Sequence, residues 1–275
     1  MSRRPRRNRP PRLDDLPRPA PASAPSRPRE PDLGRLLAER RVTGPHARLG
    51  RAEVSAVIGR LAAGHADATL GLDVGRIARE EAETALHDLW GAGGESPRLA
   101  IDPARTVLAA ARASERLAAV ARDRGRVALA TGRPASLLGC YAAIADALDD
   151  AGARVVDLGA YGPTDATRAL WWVDGVAVVT DGSNLLADEG ITAGDEWLFA
   201  VGRPELLVCD RGFAAAGVGA GIETLAFADL DAVVLGVAER RGFPIRVVPI
   251  DERRPPGAYD PLVDALVEAL TCDEA

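Results

Sequence analysis

The chain has 275 residues, 47% of them apolar, enough for one α/β domain with appendages. Its net charge of −6 conceals a basic start: the first 31 residues hold nine Arg against Asp14, Asp15 and Glu30, a net of +6, which leaves −12 for the rest. That acidic remainder excludes general nucleic-acid binding by the folded part, and no run reaches the roughly 18 apolar residues of a membrane span.

Met1 to about Pro31 is rich in Pro and Arg and poor in large apolar residues, so it reads as a disordered basic tail. It lacks the apolar stretch of a secretory signal. From Asp32 to about Gly125 the spacing is helical, in "LGRLLAERR", "RAEVSAVIGRLAAG" and "REEAETALHDLW". Asp102-Pro103 then opens a long helix, with Asp as cap and Pro at the first helical position. A loop is expected around "GAGGESPR". This half is predicted to be a helical layer belonging to the same domain as the segment that follows, residues 126–275.

From Arg126 onward the rhythm becomes strand, turn, helix. "RVALA" precedes the helix pattern "SLLGCYAAIADALDDAG", and "ARVVDLG" is again strand-like. "RALWWVDGVAVVTDG" is either a hairpin around Asp174-Gly175 or one buried strand after a loop. "ELLVCD", "ETLAFAD" and "IRVVPID" are further strands, and Asp260-Pro261 starts the last helix. Continuous apolar strands alternating with helices predict an α/β fold: a doubly wound, mostly parallel, Rossmann-like sheet beneath the helical N-terminal layer.

In such a sheet the strands' C-terminal ends share one edge, where ligands bind. The polar residues gather there: Thr131, Gly132, Arg133 and Ser136 after "RVALA"; Thr180 and Asp181 after "VAVVT"; Asp210, Arg211 and Gly212 after "ELLVC"; Asp229 and Asp231; then Asp251, Arg253 and Arg254. Backbone N–H groups at a helix start and an Arg fork suit a phosphate, and carboxylates suit Mg²⁺ or Mn²⁺. The competing reading is structural: Asp after a strand often caps the next helix, and Gly-Arg-Pro often only turns the chain. The Rossmann glycine fingerprint, the P-loop and the nucleophile elbow are absent from the sequence. His46, His65 and His87 all lie in the helical half without metal-ligand spacing; His46, in the loop "TGPHARLG", could cross to the sheet edge, but an exposed histidine without a role is the favoured expectation. Cys140, Cys209 and Cys272 are far apart, which argues against a disulfide framework and for a reducing, cytoplasmic setting; Cys209 is expected to pack within a strand.

The blocks "RVTGPHARLGR", "ATLGLDVGR", "IDPARTVLAAA", "RVALATGRPASLLGCYAAIADALDDAGARV", "VDGVAVVTDG", "PELLVCDRGFAAAGVGAGIETLAFADLDA" and "VVPIDERRPPGAYDPL" together resemble an actinobacterial phosphatase family, from about Arg41 to the last helix. The resemblance implies phosphoester hydrolysis of a small phosphorylated metabolite. It also implies histidines at positions where this chain has Arg133 and Arg211, and a His-Thr-His-Ser run where it has Ala187-Asp188-Glu189-Gly190. Guanidinium stays protonated, so Arg133 and Arg211 can neither ligate a metal nor serve as a base.

Two readings follow. In the first, Asp181, Glu189, Asp210 and Asp229 hold the metal, with Asp181 and Asp210 acting on the reaction. Thr131, Gly132, Arg133, Ser136, Arg211 and Gly212 hold the phosphate. In the second, the protein is a catalytically silent relative that binds an anionic metabolite. A purely structural protein is the third alternative, and homo-oligomers are common enough among such domains to be expected.

Overall fold

The computed structural model describes residues 32–92, 97–163, 167–188 and 190–271. The basic tail, Glu189 and Cys272 therefore lie outside the described residues, as do residues 93–96 of the loop expected around "GAGGESPR". From Leu33 onward the chain forms one compact unit.

The expected helices of the first half are α1 (Leu33–Glu39), α2 (Arg51–Ala62), α4 (Arg79–Trp90) and α5 (Pro103–Arg122), with a short α3 (Ala66–Thr69) added between α2 and α4. Asp102 caps α5 as its composition predicts, its carboxylate accepting from the Ala104 N–H at 2.9 Å with Pro103 just inside. The half is not wholly helical. The expected loop around His46 is β1 (Gly44–Gly50), paired antiparallel with β2 (Arg98–Ile101). Gly44, Pro45 and Gly50 mask that strand in the sequence, because all three are depleted from strands.

The second half carries β3 (Arg126–Ala130), α6 (Pro134–Asp150), β4 (Arg154–Val155), β5 (Ala160–Pro163), β6 (Ala169–Val173), β7 (Val176–Thr180), β8 (Leu185–Leu186) and α7 (Ile191–Val201). It continues through β9 (Leu206–Asp210), α8 (Arg211–Gly219), β10 (Thr224–Ala228), α9 (Val233–Arg240), β11 (Ile245–Pro249) and α10 (Asp260–Thr271). The sheet order is β11-β10-β9-β3-β7-β6-β5, with β4 beside β3 and β8 beside β7. β11, β10, β9, β3 and β7 run parallel, and β6 and β5 extend the sheet antiparallel. Of the two readings of "ALWWVDGVAVVT", the hairpin is the one found: Asp174 and Gly175 have φ of 49° and 74°, as a two-residue turn matching strand twist requires.

Both faces of the parallel strands are buried, and the side chains divide by the period of two. Val127, Leu129, Leu206, Val208, Leu225 and Phe227 pack with α1, α5, α6 and α10. Ala128, Ala130, Cys209, Ala226 and Ala228 face the other way, into the cluster formed with α2, α4, α7, α8 and α9. That second face is built of small residues, which lets helices approach closely. Gly194 and Gly212 bring α7 and α8 together, for a Cβ on Gly194 would stand 2.6 Å from the Gly212 carbonyl.

The crossovers reverse at β3. The chain leaves β3 toward β7 on one side, then returns to β9 on the other and proceeds outward through β10 and β11. The crevice of an open parallel sheet lies at such a reversal, here at the C-terminal ends of β3 and β9.

Candidate functional site

At the reversal, the turn after β3 and the end of β9 are locked together. Thr131 Oγ1 donates to Asp210 Oδ2 at 2.6 Å, and the Gly132 N–H donates to Asp210 Oδ1 at 2.7 Å. The Arg133 N–H donates to Thr131 Oγ1 at 2.9 Å. Thr131 and Asp210 are fully buried. Two turn amides that could have met a phosphate are thus engaged within the protein, and Asp210 is the anion that this turn holds. Burial pushes the Asp210 carboxyl above its ordinary range, opposed by the hydrogen bonds from Thr131 and Gly132 and by the charges of Arg211 and Arg133.

A strap crosses these turns. A Cβ on Gly132 would stand 2.1 Å from the Asp188 carbonyl, and one on Gly212 would stand 1.8 Å from the Gly190 carbonyl. Glycine is required at both places so that backbone can touch backbone. The Asp188 N–H donates to the Gly132 carbonyl at 3.0 Å, and Asp188 Oδ2 accepts from Arg168 Nη1 at 2.7 Å.

Arg211 follows directly. Its φ is 50°, a left-handed conformation rare outside Gly, Asn and Asp, and its residue is only 1% exposed. Its Nε and Nη2 each lie 2.6 Å from Glu252 Oε2, and Nη2 lies 2.7 Å from Asp231 Oδ1. Arg253 Nη2 meets Asp231 Oδ2 at 2.9 Å, and Arg133 Nε approaches Glu252 Oε2 at 3.7 Å. Ser136 Oγ donates to the Glu252 carbonyl at 2.6 Å, tying α6 to the same segment.

Glu252 is completely buried, and Oε1 accepts the Asp229 N–H at 3.1 Å. Burial pushes its carboxyl up to about 8; the Arg211 charge opposes this, and the neighbouring Asp229, Asp210 and Asp231 add to it. Asp231 goes the other way: burial raises it, yet Arg211 and Arg253 hold it below the ordinary carboxylate range.

The third part of the cluster contains the residue that was expected to be idle. β1 carries His46 to the ends of β10 and β11, where it is buried. Nε2 lies 2.9 Å from Asp229 Oδ1 and 3.5 Å from Asp251 Oδ2. Two backbone amides, those of Arg48 and Leu49, donate to Nδ1 at 3.1 and 2.8 Å. His46, Asp229 and Asp251 each bring one ligand atom within 4.8 Å of the others, a spacing compatible with a shared metal ion. Asp251 also accepts from the Arg253 N–H at 3.0 Å and from Arg254 Nε at 2.7 Å. Among the described residues, Asp229 Oδ2 is a buried carboxylate oxygen without a hydrogen-bond partner. Trp90 secures the end of β10 from beneath, its indole N–H donating to the Ala228 carbonyl at 3.0 Å.

Of the residues singled out in the sequence, Thr131, Gly132, Arg133, Ser136, Asp210, Arg211, Gly212 and Asp229 meet around this strand-end cluster. Asp181 does not share its hydrogen bonds. It is exposed, and its carboxylate accepts from the Ser183 and Asn184 amides at 2.8 and 2.7 Å, which holds it below its ordinary range. His46 and Glu252 escaped the sequence reading. Glu252 had a faint signal, a second acid directly after Asp251 at the end of an apolar strand; His46 had only the reach of its loop to the sheet edge, the lesser of its two readings, since its strand was hidden.

The fold and the charged crevice define an α/β protein whose candidate site lies at the topological reversal of a parallel sheet. A family model described as Phosphatase matches residues 28–273, and the chain belongs to that family. It is 33% identical over 173 residues to a Streptomyces coelicolor protein named Phosphatase SCO2771, an alignment covering 61% of this chain and 66% of that protein. The chain thus spans just under two thirds of that relative's length. No solved structure matches it.

Proposed function

We propose that the protein hydrolyses phosphomonoesters of small phosphorylated metabolites at the strand-end cluster. The observation that carries this reading is the convergence of guanidinium groups and carboxylates at the sheet reversal of a Phosphatase family member. The family alone would leave the place of reaction open.

Arg133 is the guanidinium we assign to the phosphate. Its side chain keeps 14% exposure at the rim, whereas Arg211 is 1% exposed and tied on two sides. The assignment favours a positioning charge that needs no change of protonation, since guanidinium is always a cation. Asp229 is the carboxylate we assign to the reaction. Both Asp210 oxygens already accept hydrogen bonds, while Asp229 Oδ2 keeps its capacity. Such an oxygen can orient a water or take its proton. Asp181, capping its own turn, is a weaker candidate for that role.

Burial favours a second reading, in which the protein binds an anionic metabolite without turning it over. His46, Asp210, Arg211, Asp229, Asp251 and Glu252 are all buried, so a substrate must approach from the side of Arg133, Asp231 and Arg253. A panel of sugar phosphates, nucleoside monophosphates and a chromogenic aryl phosphate separates the two. Hydrolysis predicts phosphate release that falls at least tenfold in Arg133→Ala. Stabilisation by these compounds without any release supports the binding reading and contradicts the first.

A further inference from the structure

Four guanidinium groups already offset most of the charge of this cluster's five carboxyl groups, and His46 faces it with the wrong ring nitrogen for a metal. We infer that Arg211 is the resident cation of the site, and that the cluster of Asp229, Asp231, Asp251 and Glu252 takes no divalent metal.

The first argument is the tautomer of His46. Nδ1 accepts two backbone N–H groups, from Arg48 and Leu49. A nitrogen facing two donors must present a lone pair, so the proton of the neutral ring resides on Nε2. Nε2 is the atom turned toward Asp229 and Asp251. A nitrogen that carries a proton in the ring plane has no lone pair left for a metal. Metal-bound histidines show the opposite arrangement, donating their second N–H to a carboxylate, carbonyl or water. The three ligand atoms are close enough for an ion, but with Nδ1 occupied by two backbone donors the ring turns a protonated Nε2, not a lone pair, toward the two carboxylates.

The second argument is the place of the Arg211 guanidinium. It is buried between Glu252 and Asp231, at 2.6 and 2.7 Å, and Glu252 in turn accepts the Asp229 N–H, so a fixed positive charge is built in next to the Asp229 carboxylate. Arg253 and Arg254 take the remaining oxygens of Asp231 and Asp251, and Arg133 adds a fourth guanidinium at the rim. Four guanidinium groups therefore face five carboxyl groups, counting Asp210. The carboxylates of a metal site are left short of positive charge by the protein so that the ion can supply it; here the protein supplies it.

The third argument is backbone strain. Arg211 holds a φ of 50° at the strand-to-helix turn. Strain of this kind persists where the surroundings over-determine it. The close contact of Gly212 with Gly190 and the two-sided grip on the guanidinium supply that determination.

This inference concerns the cation and stands or falls apart from hydrolysis. Metal-stripped full-length protein is titrated with MnCl₂, MgCl₂ and ZnCl₂ by calorimetry, with thermal unfolding in parallel. The expected result is no saturable binding below millimolar metal and no metal-dependent rise in Tm. In a His65→Gln/His87→Gln background, which leaves one imidazole, nitrogen-15 NMR is expected to show the Nε2–H tautomer. Arg211→Ala is expected to unfold at lower temperature and to gain a Mn²⁺-dependent rise in Tm. Stoichiometric metal binding to the unaltered chain, or an Nδ1–H ring, overturns the inference. So does an Arg211→Ala protein as stable as its parent. Should that variant not fold, the measurements on chains that retain Arg211 still decide the matter.

Discussion

Thr131→Val tests the lock between β3 and β9 directly. Valine keeps the shape of threonine and removes the hydroxyl. That hydroxyl donates to Asp210 at 2.6 Å and accepts the Arg133 N–H at 2.9 Å, and both Thr131 and Asp210 are fully buried. The substitution leaves a buried carboxyl with one donor, Gly132, and a turn amide without its acceptor. A hydrogen bond to a charged group contributes about 1.5–3 kcal/mol, and a neutral one about 0.5–1.5. The loss of both costs roughly 2–4 kcal/mol, or about 4–16 °C in Tm for a domain of this size. Thr131→Ser retains the hydroxyl and loses a methyl group, at about 1 kcal/mol. Urea denaturation of the two variants, with Asp210→Asn as the second arm of a double-mutant cycle, measures the coupling. A Thr131→Val protein within about 0.5 kcal/mol of the parent would refute the reasoning, because the hydroxyl would then not be holding Asp210.

Three further outcomes follow from the same geometry. Gly212→Ala drives a methyl group into the Gly190 carbonyl, backbone against backbone, and is expected to cost about 3 kcal/mol in denaturant titration, the upper end of the range typical of overpacking; Gly139→Ala, on an open face of α6, is expected to stabilise by about 0.5–1 kcal/mol. Native Glu252 keeps its proton up to about 8, while the unfolded chain releases it near 4.5, so the folded state binds more protons in between. Its contribution to stability is therefore complete below about pH 4.5 and is lost as pH rises to about 8. Glu252→Gln should flatten stability against pH across that window, by up to about 1.4 kcal/mol per pH unit, and an unchanged profile would reject the assignment. Burial raises the thiols of Cys140 and Cys209 far above their ordinary range, so in Cys272→Ala protein a disulfide reagent should label neither until urea is added.

The sheet was legible because its chemistry is local. Runs such as Leu206–Asp210 and Thr224–Ala228 are buried throughout, so they read as continuous apolar segments, and each ends where the polarity changes abruptly. The meeting of Thr131, Asp210, Arg211 and Asp229 followed from that register, since parallel strands deliver their ends to one edge. What the residues do to one another was not legible. Gly132 reads as a phosphate turn, yet its N–H serves Asp210 and its missing side chain admits the Asp188 carbonyl. That contact lies 56 positions away in the chain and leaves no local trace. His46 was misread for a different reason. Its strand contains Pro45 and begins and ends on glycine, and it pairs with β2, which lies 48 residues or more further along the chain and leaves no local trace. Asp181 follows a strand as Asp210 does, but Ser183 and Asn184 offer it amides of its own, and it caps a turn.

The most direct test of the proposed function is phosphate release by the purified full chain, with and without chelator, beside Asp229→Asn protein whose Tm has been checked. Release from at least one phosphomonoester, undiminished by chelator and lowered at least a hundredfold by Asp229→Asn, is the predicted result. No release from any compound, or equal release by the variant, contradicts the assignment of hydrolysis to this strand-end cluster.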